Sequence, residues 1–270
     1  MGGRHAGWFV ALDKGFYREA GLNVDVSRGY GSRDGIKRLA AKRADIGFND
    51  IAGAIIARAR QGIPIKAAAV IYGRTPVTIF TLKKSGIRTP KDLEGKTLGT
   101  TAGGTSRVLF PAFAQMAGIN GQKVKWISIK ASAKTPMLIA GKIDAAPYYI
   151  MQSPKLEKAA AKLGGISKIM YADHGLALLS NGILVLESYA RARADVLRGF
   201  VPASIKGLKY AIEHPDEAAR IVIKHQSLLD LGVTIKEIGI VKGLAMTPEA
   251  KKHGLGYITE EKMKFTRDIV

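Results

Sequence analysis

The chain has no cysteine among its 270 residues. Disulfides, thiol nucleophiles and a lipidated cysteine are thereby excluded within it, and an oxidising compartment is permitted without being required. No apolar run approaches the roughly 18 residues that a membrane span needs. The first residues do not follow the basic, apolar and small-residue order of a secretory leader, so export is not legible from them. Aromatic residues are few, at 7%, and acids are outnumbered: 22 Asp and Glu against 42 Lys and Arg give a formal net charge of +20. Such a charge raises nucleic acid as a partner. That partner is set aside, because the bases are spread along the whole chain without zinc-ligand spacing, a stacking-aromatic motif or a basic tail. The densest cluster, "KRLAAKR" from Lys37 to Arg43, alternates with apolar residues at helical spacing, as a solvated helix face does.

Catalytic and metal signatures are equally sparse. The histidines show no metal-ligand spacing, and His214, His225 and His253 sit in helical or loop surroundings that suit a solvated role. There is no G-x-S-x-G elbow and no close acid pair beside a base, and Asp173–His174 lacks a placed serine to complete a triad. In "RGYGSRDG" (28–35) the glycines fall at 29, 31 and 35, off the G-x-G-x-x-G spacing of a dinucleotide loop. "GKT" at 95–97 has Pro90 where a phosphate loop needs glycine. No catalytic residue, metal site or cofactor is assigned.

What is present is an α/β pattern. With 47% hydrophobic residues the chain can bury two lobes of ordinary size. Strand-like runs ("NVDVS", "ADIGF", "IKAAAVIY", "TIFTL", "KTLGTT", "VKWISI", "IDAAPY") alternate with helical patterns, which argues for parallel sheets, and from Arg193 the pattern is mostly helical. Residues 2–23 read as one amphipathic helix closing on Gly21. "LAAKRADIGFND" (Leu39 to Asp50) is echoed by "LIAGKIDAAPYY" (Leu138 to Tyr149), so two lobes share one strand–helix unit. The division expected is 1–80 with 183–270 for lobe 1 and 81–182 for lobe 2, joined by crossing segments near 77–84 and 181–190. The echo predicts a first strand of lobe 1 ahead of Met1, and "EEKMKFTRDIV" is expected to end inside a helix.

In such a fold ligands sit at the carboxyl ends of strands, where helices begin. "TTAGGTSR" (100–107) supplies Gly103 and Gly104 for close backbone approach, with Thr105 or Ser106 as a helix cap and free N–H groups for an oxygen-bearing ligand. The matching loop of lobe 1 holds His5, and "RGYGSRDG" contributes Tyr30 and Ser32. Tyr72, Tyr148 and Tyr149 also follow apolar strands, where their rings can stack on a flat ligand, whereas Trp8 and Phe48 read as core.

"HAGWFVALDKGFYREAGLNVDV", "KRADIGFND", "PVTIFTLKKSGIRTPKDLEGKTLGT", "AGKIDAA", "YADHGL" and "NGILVLESY" resemble, in that order and over nearly the whole chain, the solute-binding proteins of bacterial ABC importers. The branch resembled includes binders of thiamine-pyrimidine precursors and of alkanesulfonates. The resemblance implies a two-lobed periplasmic-binding-protein fold of the type II kind, a periplasmic or cell-surface location, and a permease with its ATPase as partners of a monomeric receptor. It places His5, Asn49 and Asp50 against a heterocycle, with Asp173 and His174 at the end of a later strand. Where many relatives carry Asn-Glu-Pro after the tyrosine pair, this chain has "MQSP", and Gln152 in place of the acid disfavours a cationic ligand. The function implied is capture of a small planar, heteroaromatic solute between the lobes. Arg74 and the Gly/Ser/Thr-rich helix starts favour an anionic solute such as a sulfonate or aromatic carboxylate as the alternative. A pyrimidine-synthesising enzyme on the same scaffold is the reading of another class, weakened because the related eukaryotic synthases use a cysteine-rich motif.

Overall fold

The computed structural model describes residues 1–102 and 104–270; Gly103, one of the candidate residues, lies outside them. In chain order come α1 (Ala6–Asp13), α2 (Phe16–Glu19), α3 (Ser32–Ala40), β1 (Ile46–Asp50), α4 (Ile51–Gln61), β2 (Ile65–Val70), β3 (Val77–Leu82) and β4 (Thr97–Thr100). Next are α5 (Thr105–Val108), α6 (Phe110–Met116), β5 (Lys125–Ser128), α7 (Lys134–Ile139), β6 (Ala145–Tyr149), α8 (Ser153–Ala160), β7 (Ile166–Met170) and β8 (Asn181–Leu186). Helices complete the chain: α9 (Glu187–Ala192), α10 (Ala194–Glu213), α11 (Pro215–His225), α12 (Leu231–Ala245), α13 (Pro248–His253) and α14 (Glu260–Ile269). The chain divides into two compact units, Met1–Arg74 with Leu178–Val270, and Thr75–Ala177. Among the described residues no helix is long and apolar enough to cross a membrane.

In the first unit, β8 lies between β1 and β2 and runs antiparallel to both, with Asp50 opposite Asn181 and Ile65 opposite Leu186. Every residue of β8 is buried, as its unbroken apolar run from Ile183 to Leu186 requires of a central strand. One core joins Ile36, Leu39, Ile51 and Leu184. A second packs Phe9 and Val10 of α1 against Ala218 and Val222 of α11. The crossing of α1 on α10 depends on two glycines: a Cβ on Gly207 would stand 2.3 Å from the Gly7 carbonyl oxygen, and one on Gly7 2.9 Å from the Leu208 Cα.

Two sequence expectations change here. The helix expected over 2–23 is broken, because Gly15 turns left-handed at φ 79° and separates α1 from α2. The stretch "NVDVS" forms no ladder: Val24 and Val26 are half-buried and Asn23 and Asp25 exposed, the alternation of a strand, but no described segment pairs with it.

The second unit holds a five-stranded sheet in the order β5-β4-β6-β3-β7. β4 is parallel to β5 and β6, so the carboxyl ends of these three strands lie along one edge. β3 is antiparallel to β6 and β7. The second sheet is therefore mixed and the first has only antiparallel pairs, where the alternation suggested parallel sheets. The segments expected to be crossings, β3 and β8, are fully buried inner strands of antiparallel sense, and each begins just after the chain passes between the units, at 74–75 and 177–178.

The internal echo is structural. β1 and β6 each pair antiparallel with an inner strand, β8 and β3, and each is preceded by the same helix ending, in which Arg43 N–H donates to the Arg38 carbonyl and Lys142 N–H to the Met137 carbonyl. The left-handed residue of that ending is Gly141 (φ 67°) in one copy and Lys42 (φ 55°) in the other.

Candidate functional site

In the first unit the chain enters α1 through a 3-10 turn, Gly3–His5. That turn is anchored from below by the buried Glu237 of α12, whose carboxylate accepts the Gly3 N–H at 2.7 Å. Gly2 N–H donates to His5 Nδ1 at 3.1 Å, while Arg4 Nε–H approaches Nε2 at 3.4 Å. A neutral imidazole accepts at one nitrogen only, so these two N–H groups compete for a single ring acceptor. Burial first, and the Arg4 charge second, push the His5 pKa down to about 3, so the ring is neutral at physiological pH.

Phe48 of β1 gathers the rings around it. His5 lies edge-on at 6.4 Å, Trp8 of α1 at 5.1 Å and Tyr72 at 5.5 Å between centroids. The burial of these rings differs from that expected. Tyr72, read as a stacking surface, is 1% exposed, and its hydroxyl donates to the Arg4 carbonyl at 3.4 Å; burial raises its pKa. Trp8 and Phe48, read as core, are only half-buried. Phe48 lies two residues before the carboxyl end of β1, while Trp8 lies in α1.

Asn49 points to the opposite face of β1 from Phe48, as strand alternation requires. It is buried against the first turn of α3, where Gly35 makes room: a Cβ there would fall 1.9 Å from Asn49 Oδ1. Its Nδ2 is buried with no hydrogen-bond partner among the described residues. Asp50 is 1% exposed and faces inward. One carboxylate oxygen accepts the Gly53 N–H at 3.1 Å, capping α4, and the other accepts the Ser180 hydroxyl at 2.6 Å. Burial raises its pKa against these hydrogen bonds. The Asp50 N–H donates to Ser32 Oγ at 3.0 Å, tying the start of α3 to the end of β1. Asp50 and Ser32 thus hold elements in place with the groups that were expected to face a ligand. Tyr30 stands apart, 75% exposed beneath the Arg28 guanidinium, and Arg74 is half-buried at the last residue of the first segment.

In the second unit the candidates follow the shared edge of β5, β4 and β6. Gly104, and not Thr105 or Ser106, caps α5, and no side chain caps that four-residue helix. Thr105 is half-buried, and Ser106 lends its carbonyl to the Tyr171 hydroxyl at 3.0 Å. Tyr171 is itself buried in a stack on Phe113 at 4.1 Å, with His174 edge-on to Phe113 at 6.1 Å and Asp173 exposed beside it. At the end of β6, Tyr148 is half-buried, its hydroxyl 3.0 Å from Thr135 Oγ1 and its ring edge-on to Phe80. Lys134, which no sequence motif singled out, lies with Nζ 3.9 Å above that ring and donates to the Pro147 carbonyl at 2.5 Å. Tyr149 ends β6, and Gln152 follows at the start of α8, half-buried. Among the described residues no group of three or more His, Asp or Glu gathers as metal ligands would.

Each sheet has an inner strand antiparallel to both of its neighbours, β8 in the first and β3 in the second, and the fold is that of the periplasmic binding proteins. The periplasmic aliphatic sulphonate binding protein SsuA of Escherichia coli superposes with a TM-score of 0.78 at 16% identity, over 99% of this chain and 88% of that one. A family model described as NMT1/THI5 like matches residues 3–218, and the chain belongs to that family. It is 27% identical over 216 residues to the riboflavin-binding protein RibY of Chloroflexus aurantiacus, covering 79% of this chain and 60% of that protein. It is 24% identical over 228 residues to the formylaminopyrimidine-binding protein of Halalkalibacterium halodurans, covering 82% and 67%. The chain thus spans about two thirds or less of the length of these relatives. Proteins named as 4-amino-5-hydroxymethyl-2-methylpyrimidine phosphate synthases match as well, at 22% identity.

Proposed function

We propose that this chain is a solute-binding receptor that delivers a small, flat heteroaromatic compound to a membrane permease and its ATPase, acting as a monomer outside the cytoplasmic membrane. The observation that carries the ligand class is the neutral His5 held edge-on to Phe48, with Trp8 against the same ring. Half-buried aromatic edges stabilise a planar ring by contact area, and an uncharged imidazole adds a further flat ring without demanding a counter-charge. The relatives at 27% and 24% identity are named as binders of riboflavin and of a formylaminopyrimidine, both ring compounds of this kind. The receptor reading is preferred to a catalytic one because relatives named as synthases match at lower identity.

A second ligand class, sulfonates and aromatic carboxylates, is favoured by one observation: Lys134 has no carboxylate within ion-pair distance among the described residues. A thermal-shift screen of riboflavin, pyrimidines, alkanesulfonates and aromatic acids separates the classes. A ligand at about 100 Kd raises stability by roughly 2.7 kcal/mol. Chemical conversion of any stabilising compound during the screen would refute the receptor reading.

A further inference from the structure

We propose that Lys134 is a ligand-binding residue of the second unit that meets an oxygen acceptor on the solute, a ring carbonyl or an oxyanion, beside the flat face of Tyr148. The proposal rests on the receptor reading above. Lys134 opens α7, in the connection from β5 to β6, and so sits on the edge where the carboxyl ends of β5, β4 and β6 lie together. Helices that follow strands at such an edge present their first residues to ligands.

An ammonium has three N–H donors, and the Pro147 carbonyl takes one of them. A structural tether for that carbonyl therefore explains a third of the group's capacity, and its charge meets the Tyr148 ring face but no anion. Other partly buried lysines are matched by acids: Lys14 pairs with Glu217 and Lys262 with Glu249. The groups on the elements packed against α7 do not supply that match. Glu157 of α8 is engaged by Lys168 of β7, and the remaining titratable neighbours are Lys130, Lys155, Lys158, Tyr148 and Tyr149, while β3 carries none. The Tyr148 ring under Nζ is pinned by the Thr135 bond, so amine and ring are preset relative to each other. Burial lowers the Lys134 pKa to about 8, the direction expected of an ammonium that lacks an anionic partner.

The test measures binding by calorimetry between pH 6.5 and 9.5, on riboflavin, a pyrimidinone and an alkanesulfonate that do not titrate in that range, for the wild type, Lys134→Met and Lys134→Gln. Met keeps the apolar stem and removes the donors, and is expected to weaken binding at pH 7 by tenfold or more. With an oxyanion ligand, wild-type affinity should be flat below pH 8 and fall by up to tenfold per pH unit above it, and Gln should not rescue. With a ring carbonyl the pH effect should stay within threefold and Gln should restore part of the loss, because a neutral amine and an amide still donate. Lys134→Met binding within twofold of wild type overturns the proposal. If that variant does not fold, a wild-type profile without pH dependence, together with no loss in Lys134→Gln, overturns it instead. Absence of binding by the wild type to any of the probes defeats the receptor reading itself, and the Lys134 assignment with it.

Discussion

Asp50 gives the sharpest test of how the first unit is held. Replacing it by Ala removes the α4 cap, about 1 kcal/mol, and a charge-assisted bond from Ser180 of roughly 1.5–3 kcal/mol. Part of this is returned, because a carboxylate no longer has to be buried, which leaves a net loss of about 2–3 kcal/mol. Asp50→Asn keeps the acceptor for Gly53 N–H, its Nδ2 can donate to Ser180 Oγ, and the Ser180 hydrogen can turn to Asn181 Oδ1, 3.3 Å away. Its cost should stay within about 1 kcal/mol. The pH dependence has a definite sign. Burial outweighs the hydrogen bonds and raises the folded pKa, so the folded state binds the proton more tightly than the unfolded one. The contribution of Asp50 to stability is greatest below the unfolded value of about 3.9 and declines as pH rises through the folded one. Wild-type stability relative to Asp50→Asn should therefore fall as pH rises above about 4. Urea unfolding in a Trp126→Phe background, where Trp8 alone reports on the first unit, measures all three proteins. A loss in Asp50→Asn equal to that in Asp50→Ala, or a difference from wild type that does not move with pH, would refute the reasoning.

Three further outcomes are expected. Lys42→Gly should stabilise the chain by about 0.5–1 kcal/mol and Gly141→Ala destabilise it by about 1 kcal/mol in thermal unfolding, since both positions are left-handed. Gly35→Ala should cost about 2 kcal/mol or more through the clash with Asn49, and the penalty should shrink in the Gly35→Ala, Asn49→Ala pair, a coupling that a double-mutant cycle reads directly. Phe48→Ala should weaken ligand binding by tenfold or more in calorimetry, whereas Tyr72→Phe should change it by less than twofold, because the Tyr72 hydroxyl is spent on the Arg4 carbonyl.

The two α/β repeats were legible because helix endings and strand alternation are local signals: the echo of Leu39–Asp50 in Leu138–Tyr149 already aligned β1 with β6. Strand direction was not, since antiparallel insertion of β3 and β8 depends on partners far along the chain. Site residues were legible by position and not by orientation. Asp50 stands at a strand end as expected, yet capping α4 satisfies its carboxylate internally. Phe48 looked like core because an aromatic inside a strand usually is. Nothing local distinguishes Lys134 from the other lysines of a basic chain; its lack of an acidic partner is a tertiary property.

The central place of β8 also sets the order in which the molecule can assemble. Asp50 and its partner Ser180 are separated by 130 residues, and the second unit, Thr75–Ala177, occupies the interval as one uninterrupted stretch. That unit contains all the strands of its own sheet and can close as soon as it is synthesised. β1 and β2 have no ladder with each other, only with β8, so the first 74 residues wait with apolar strands unpaired. At ribosomal rates the wait lasts on the order of ten seconds, long compared with hairpin or helix formation. Over that interval the leading segment is the aggregation-prone part of the nascent chain, and its protection falls to whatever binds unfolded chains as they emerge.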